Sequence, residues 1–215
     1  MKIENKATLA EIREQLHRQW PEASYRRRRQ QSGAILTTAE FASLAPRVDL
    51  SGQIVEICGA LSSGKTSFLY RVLAGITPPP TIAYFDFAHS FFPAAALQAG
   101  IDLERLLLLQ PTDQGKALRL AEQILSAELA RCLVFDLISM SEPLPRIMLH
   151  RLRQQLNRAD ALLLLLTQSD HSLLPASLVS LRLEVSRGVG GTLTATVLRS
   201  RLSAEGIRLE VDADD

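Results

Sequence analysis

The run Gly59-Ala60-Leu61-Ser62-Ser63-Gly64-Lys65-Thr66 fits the pattern GxxxxGK[ST]. An apolar stretch precedes it and a helix-like segment follows, the setting in which this pattern cradles phosphate. Gly59 and Gly64 let the loop turn its backbone N–H groups inward, and the next helix adds its positive N-terminal end. Gly59, Ser62, Ser63, Gly64, Lys65 and Thr66 are therefore the phosphate-binding candidates. In this chemistry Lys65 reaches the outer phosphates and the Thr66 hydroxyl ligates Mg²⁺. The chemistry also needs a carboxylate at the end of a buried strand, and Leu133-Val134-Phe135-Asp136 supplies one. Thr66 and Asp136 are the metal candidates, with Mg²⁺ arriving only with a nucleotide such as ATP. The competing readings are a loop that keeps its shape without a ligand and an aspartate that caps the next segment.

The elements that must position these groups can be read around them. Strands are predicted over Gln53–Cys58, Thr81–Asp86, Leu106–Leu109, Cys132–Leu137, Ala161–Thr167, Leu178–Val185, Thr192–Arg199 and Ile207–Val211, and helices over Lys65–Ala74, Pro93–Ala99, Gly115–Ala130 and Pro145–Arg158. Strands alternating with helices predict an α/β fold with a mostly parallel sheet flanked by helices. The last three strands read as an antiparallel extension, with Gly188, Gly190 and Gly191 in a hairpin turn. Before this domain, residues 1–33 are polar and charged, ending in Arg26-Arg27-Arg28-Arg29. Leu9, Ile12, Leu16 and Trp20 recur there at the spacing of one helix face, and Pro21 stops the pattern. That face packs either on its own domain or on a neighbouring protein. The division is thus an N-terminal arm over 1–33 and a phosphate-loop domain over 34–215.

Composition narrows the function classes. The chain has 215 residues, of which 47% are hydrophobic and 22% charged, with net charge +1. This excludes disordered, collagen-like and disulfide-rich chains and a generally polycationic nucleic-acid binder. Cys58 and Cys132 sit in apolar runs and read as buried thiols. The longest apolar run, Ala161–Leu166, is far short of the roughly 20 residues that span a bilayer. With no apolar signal-peptide core at the N-terminus, a cytoplasmic protein without membrane contact is expected.

Several stretches resemble bacterial RecA recombinase. They are Gly52-Gln53-Ile54-Val55-Glu56-Ile57-Cys58-Gly59 with Ser62–Thr66, then Tyr84-Phe85-Asp86-Phe87-Ala88-His89, Gly100–Leu107, and Leu109-Gln110-Pro111. The likeness runs in order over residues 33–211 and extends to the arm, where Glu4-Asn5-Lys6 precedes the amphipathic helix. It implies a RecA-like core and an arm that docks on an adjacent protomer. It also implies that Gln168 senses the γ-phosphate and that Arg199 and Arg201 replace two lysines reaching a neighbour's nucleotide. Two solvent-facing arginines on an edge strand are the plainer reading of the last pair.

The departures from RecA bear on activity. Where RecA carries a glutamate that polarises the attacking water, this chain has Ala88, and losing such a group costs roughly 10²–10⁴-fold in rate. Little ATP hydrolysis is expected, with no catalytic residue assigned. Around Pro93, Phe92 and Ala95 replace the polar reader and aromatic platform that hold adenine, so base recognition is weakened. The spans Asp136–Gln168 and Ser169–Pro175 leave no room for RecA's long DNA-binding loops, which makes DNA binding weak or indirect. The basic residues of Pro145–Arg158 (Arg146, His150, Arg151, Arg153 and Arg158) fit a phosphate backbone or simply a solvated face.

An intact phosphate loop with these losses resembles the ImuA group of RecA-related accessory proteins. That resemblance implies a part in SOS mutagenesis and translesion DNA synthesis. The implied partners are RecA, an ImuB-type polymerase-like protein and an error-prone DNA polymerase, with self-association left open. Two alternatives stand beside it. A slow DNA-dependent ATPase paralogue is opposed by Ala88, and a SulA-like cell-division inhibitor is opposed by the phosphate loop, which that group lacks.

Overall fold

The computed structural model describes residues 35–36, 52–76, 79–168, 173–188 and 192–201. The arm with Leu9, Ile12, Leu16 and Trp20, the basic run Arg26–Arg29, Gly190, Gly191 and the strand expected over Ile207–Val211 lie outside the described residues. In chain order the elements begin with β1 (Ile35–Leu36), β2 (Ile54–Gly59), α1 (Lys65–Gly75), β3 (Ile82–Asp86) and α2 (Pro93–Gln98). A short 3₁₀ turn at Leu103–Arg105 then leads into β4 (Leu106–Leu109), α3 (Gln114–Ser126), β5 (Cys132–Asp136) and α4 (Arg146–Ala159). The described chain ends with β6 (Leu162–Gln168), β7 (Leu181–Arg187) and β8 (Leu193–Ser200).

The strands form one eight-stranded sheet in the order β1-β8-β7-β2-β6-β5-β3-β4. From β4 across to β7 every neighbouring pair is parallel. The β7–β8 hairpin is antiparallel, closed by Gly188 N–H donating to Thr192 O at 2.8 Å. The antiparallel extension therefore begins at β8, because β7 itself joins β2 in parallel. At the far edge β1 pairs antiparallel with β8, a two-residue strand too short to carry a hydropathy pattern.

The inner strands are buried on both faces, which is why they read as unbroken apolar runs. Their side chains alternate between two cores. Val55, Ile57, Tyr84, Val134, Leu164 and Leu166 face one side, where α1 contributes Phe68, Leu69, Val72 and Leu73 and α2 contributes Ala96. Ile54, Phe85, Leu133, Phe135, Leu163 and Leu165 face the other, against Leu118, Ile124 and Leu125 of α3 and Leu149, Leu152 and Leu156 of α4. The expected α/β fold, a mostly parallel sheet with helices on both faces, is the fold observed. Cys58 and Cys132 are buried free thiols, and burial pushes Cys132 up to about 12.

Two element boundaries differ from the sequence expectation for local reasons. The expectation ran α3 on to Ala130, but it stops at Ser126, where Glu128 turns left-handed at φ 54°. Leu129 N–H then reaches back to Ile124 O at 3.0 Å, closing the end as a Schellman motif. The strand expected from Leu178 starts at Leu181, because Leu178 N–H still closes a turn onto Pro175 O at 2.9 Å. Among the described residues no helix is long and apolar enough to cross a membrane.

Candidate functional site

Parallel strands bring their C-terminal ends to one edge of the sheet, and the strand order separates β2 from β3 by β6 and β5. A crevice beyond the carboxyl ends at such a crossover is where α/β sheets bind ligands. Gly59 ends β2, Asp86 ends β3, Asp136 ends β5 and Gln168 ends β6. In register, Gly59 lies opposite Gln168 and Asp86 opposite Asp136. The sheet thus gathers the phosphate loop, the metal-candidate aspartate and the glutamine at one edge.

The loop has the shape its glycines were expected to give. Gly64, at the N-cap of α1, has φ 86°, and a Cβ there would sit 2.3 Å from Leu193 Cδ2. A Cβ on Gly59 would meet Ser63 Oγ at 2.4 Å and Val185 O at 2.6 Å. Ser62 is also left-handed, at φ 61°, although it carries a side chain. Lys65 is buried and its ammonium folds back over the loop, donating to Gly59 O at 3.1 Å and Ala60 O at 3.0 Å. Burial pushes the Lys65 ammonium down from its ordinary value, and the Asp136 carboxylate opposes that shift. Ser63 Oγ is buried with no hydrogen-bond partner. A curled loop, a lysine laid over it and an orphaned buried hydroxyl fit a nucleotide's phosphates. Thr66 follows Lys65 at the start of α1 and Asp136 stands across the edge, so these two would hold the accompanying Mg²⁺.

The two aspartates have different tasks. Asp86 is fully buried, and both its oxygens accept backbone N–H groups, from Ser90 at 2.9 Å and Phe91 at 3.0 Å. Its carboxylate holds the loop after β3 in place. Asp136 accepts from Ile138 N–H at 3.2 Å, from the Tyr84 hydroxyl at 3.2 Å and from the Ser90 hydroxyl at 3.3 Å. Burial raises the Asp136 carboxyl above its ordinary value, held back by these hydrogen bonds. Burial also drives the Tyr84 hydroxyl upward, with the Asp136 charge adding to it. Ala88 lies in the turn between Asp86 and Ser90 and brings no polar side chain.

The remaining candidates divide. Gln168 Nε2 donates to Ile138 O at 2.8 Å, tying the end of β6 to the segment after Asp136. Arg199 donates to Ala176 O at 2.9 Å and Arg201 to Ser177 O, so both hold the turn before β7 and stand apart from the phosphate loop. Phe92 is 63% exposed and its N–H reaches the Tyr70 hydroxyl at 3.4 Å, while the Phe91 ring packs between Tyr70 and Tyr84 at 5.7 and 4.9 Å. On α4, Arg151 pairs with Glu122 at 3.0 Å and Arg153 donates to Leu178 O at 2.9 Å.

Sequence reasoning missed four groups. Glu56, fully buried in β2, accepts from the Thr167 hydroxyl at 3.0 Å and pairs with Arg182 at 3.3 Å. Its signal was present, a lone carboxylate inside Ile54–Cys58. Tyr84 carried a weaker one, a phenol within a doubly buried strand two residues before Asp86. Ser90 and Arg187 carried none. Ser90 matters through the path of its loop. Arg187 matters because β7 ends beside the phosphate loop, its Nη2 3.4 Å from where a Gly64 Cβ would sit.

A family model described as the RecA N-terminal domain matches residues 42–150, the stretch holding the phosphate loop, Asp86, Ala88 and Asp136. Among curated proteins, Protein RecA of Listeria welshimeri, of Listeria monocytogenes and of Listeria ivanovii are each 29% identical over 147 residues. Each alignment takes in 65% of this chain and 42% of the relative, so the chain spans less than half the length of the curated proteins it matches.

Proposed function

Because the chain belongs to the RecA N-terminal domain family, we propose that it is a RecA-related accessory protein of the ImuA type, acting in SOS mutagenesis and translesion DNA repair. It binds nucleotide phosphates at Gly59–Thr66, with Thr66 and Asp136 serving Mg²⁺, and hydrolyses ATP little or not at all. Bound Mg²⁺ supplies charge neutralisation for the phosphates. The protein's own part is to hold them with the loop N–H groups and Lys65.

The observation that carries this reading is the loop after β3. The phosphate loop is complete, but the water-activating position is Ala88, and the nearby Asp86 has both oxygens on backbone N–H groups. Asp86 therefore does not substitute for the missing glutamate. A protein of this kind serves better as a nucleotide-responsive partner than as a motor. Gln168, opposite Gly59 and bonded to Ile138 O, suits the relay of phosphate occupancy to the segment after Asp136.

The proposed partners are RecA, through the arm face of Leu9, Ile12, Leu16 and Trp20, and an ImuB-type polymerase-like protein with its error-prone polymerase. Arg199 and Arg201 would serve a protomer interface once released from the turn they hold. Docking on a RecA protomer without long DNA loops caps or weakens the filament. The test is titration of the protein into RecA's single-strand-DNA-dependent ATPase, beside the Leu16→Ala/Trp20→Ala variant. Substoichiometric inhibition relieved by the double substitution is expected. No effect at equimolar ratio overturns the filament role and turns attention to the polymerase-like partner.

A further inference from the structure

Arg187 stands beside the proposed nucleotide site, and its role rests on that reading. Leu181, Leu183 and Val185 of β7 lie in the core that α1 covers, and strand alternation carries Arg187 to the same face, one step past that core. Its cross-strand partner Leu193 runs the same way. Leu193 is buried in that core, and its Cδ2 lies 2.3 Å from where a Gly64 Cβ would sit. Arg187 Nη2 lies 3.4 Å from the same point, so the guanidinium rests against the glycine that caps α1. The other arginines of the hairpin strands point elsewhere. Arg182 alternates to the opposite face and pairs with Glu56 at 3.3 Å. Arg199 lies opposite Arg182 while Val197 lies opposite Leu183, so the extra residue Leu198 shifts Arg199 onto the Arg182 face.

Arg187 thus brings a cation to a place that is already positive. Lys65 Nζ folds over the same loop onto Gly59 O and Ala60 O. The positive N-terminal end of α1 lies there too, with no acidic residue in its first turn. Arg187 is exposed and, among the described residues, its side chain makes no hydrogen bond or ion pair. Like charges gathered without a counter-charge repel. Ser63 Oγ, in the same loop, is 7% exposed and has no hydrogen-bond partner, so it is a donor that a phosphate oxygen would satisfy. A guanidinium fork matches two oxygens of a phosphate. We propose that Arg187 is a phosphate-binding residue of this site, reaching over the loop from the β7–β8 hairpin to hold the nucleotide's phosphates together with Lys65. It reads phosphate oxygens and leaves the base unread, which suits a site where Phe92 and Ala95 flank Pro93.

The experiment measures the affinity of ATP and of inorganic triphosphate by calorimetry in Mg²⁺. The proteins are wild type, Arg187→Ala, Arg187→Met and Arg187→Lys, with Lys65→Ala as control. Arg187→Met keeps the apolar stem beside Leu193 and removes only the charged fork. Arg187→Ala and Arg187→Met are each expected to weaken both ligands by about tenfold, the scale of one hydrogen bond to a charged group. Arg187→Lys falls between them and wild type, because it keeps the charge without the fork. Wild-type affinity in Arg187→Met overturns the proposal, and if Arg187→Ala alone is weakened the residue acts through packing. A loss confined to ATP, with triphosphate unaffected, also overturns it, since the contact is then not to phosphate. Each of these leaves the nucleotide site standing. Failure of ATP to bind wild-type protein, or binding unaffected by Lys65→Ala, overturns the nucleotide site and the role of Arg187 with it.

Discussion

Asp136 shows at the scale of one residue how a site group stands against the fold that holds it. Its carboxyl is raised above the ordinary value chiefly by burial. Folded protein therefore keeps the proton at a pH where the unfolded chain has lost it, and stability falls as pH rises through the raised value. Asp136→Asn is neutral at every pH. It is expected to melt above the wild-type protein near neutrality, with the advantage vanishing on acidification through the raised value. Melting curves across an acid-to-neutral pH series check this, and a constant difference at all pH values contradicts it. The residues of this edge were unequally legible. Lys65, Thr66 and Asp136 announce themselves because their chemistry requires fixed spacing or a strand end. Ser90 does not, because its role comes from a loop path that only the bonds to Asp86 define.

Elements were legible where burial on both faces writes a long apolar run. The inner strands β2, β3, β5 and β6 were expected within a residue or two, because each must be apolar on both faces to fill two cores, and the edge strand β4 was expected at its observed bounds from its run of leucines. Boundaries were lost where backbone conformation decides. Nothing in the composition of Ala127-Glu128-Leu129-Ala130 distinguishes a continuing helix from a left-handed stop. Glu128 at φ 54° carries the steric cost of a Cβ in that region, roughly 1–2 kcal/mol, against roughly 0.5–1 kcal/mol of extra backbone entropy for glycine. Glu128→Gly is accordingly expected to stabilise the protein by about 0.5–1 kcal/mol. Chemical denaturation measures it, and destabilisation contradicts the assignment of this residue as the helix stop.

The described residues form a sheet whose topology delivers the phosphate loop, two aspartates and one glutamine to the same edge. That placement was foreseeable from the order of strands and helices, since parallel strands share their C-terminal end. β1 could not be foreseen at two residues' length, nor could the hydrogen bonds that Arg199 and Arg201 give the turn before β7. The arm, which carries the proposed contact with RecA, reads clearly as an amphipathic pattern and lies outside the described residues.

The central claim is that this RecA-family chain binds nucleotide at an intact phosphate loop without turning it over. The most direct measurement sets ATP binding against steady-state phosphate release by the purified protein in Mg²⁺, with Lys65→Ala as the blank. The account predicts binding that Lys65→Ala abolishes and phosphate release indistinguishable from that of the blank. Phosphate release by wild-type protein that disappears in Lys65→Ala contradicts it, and would show a working ATPase despite Ala88.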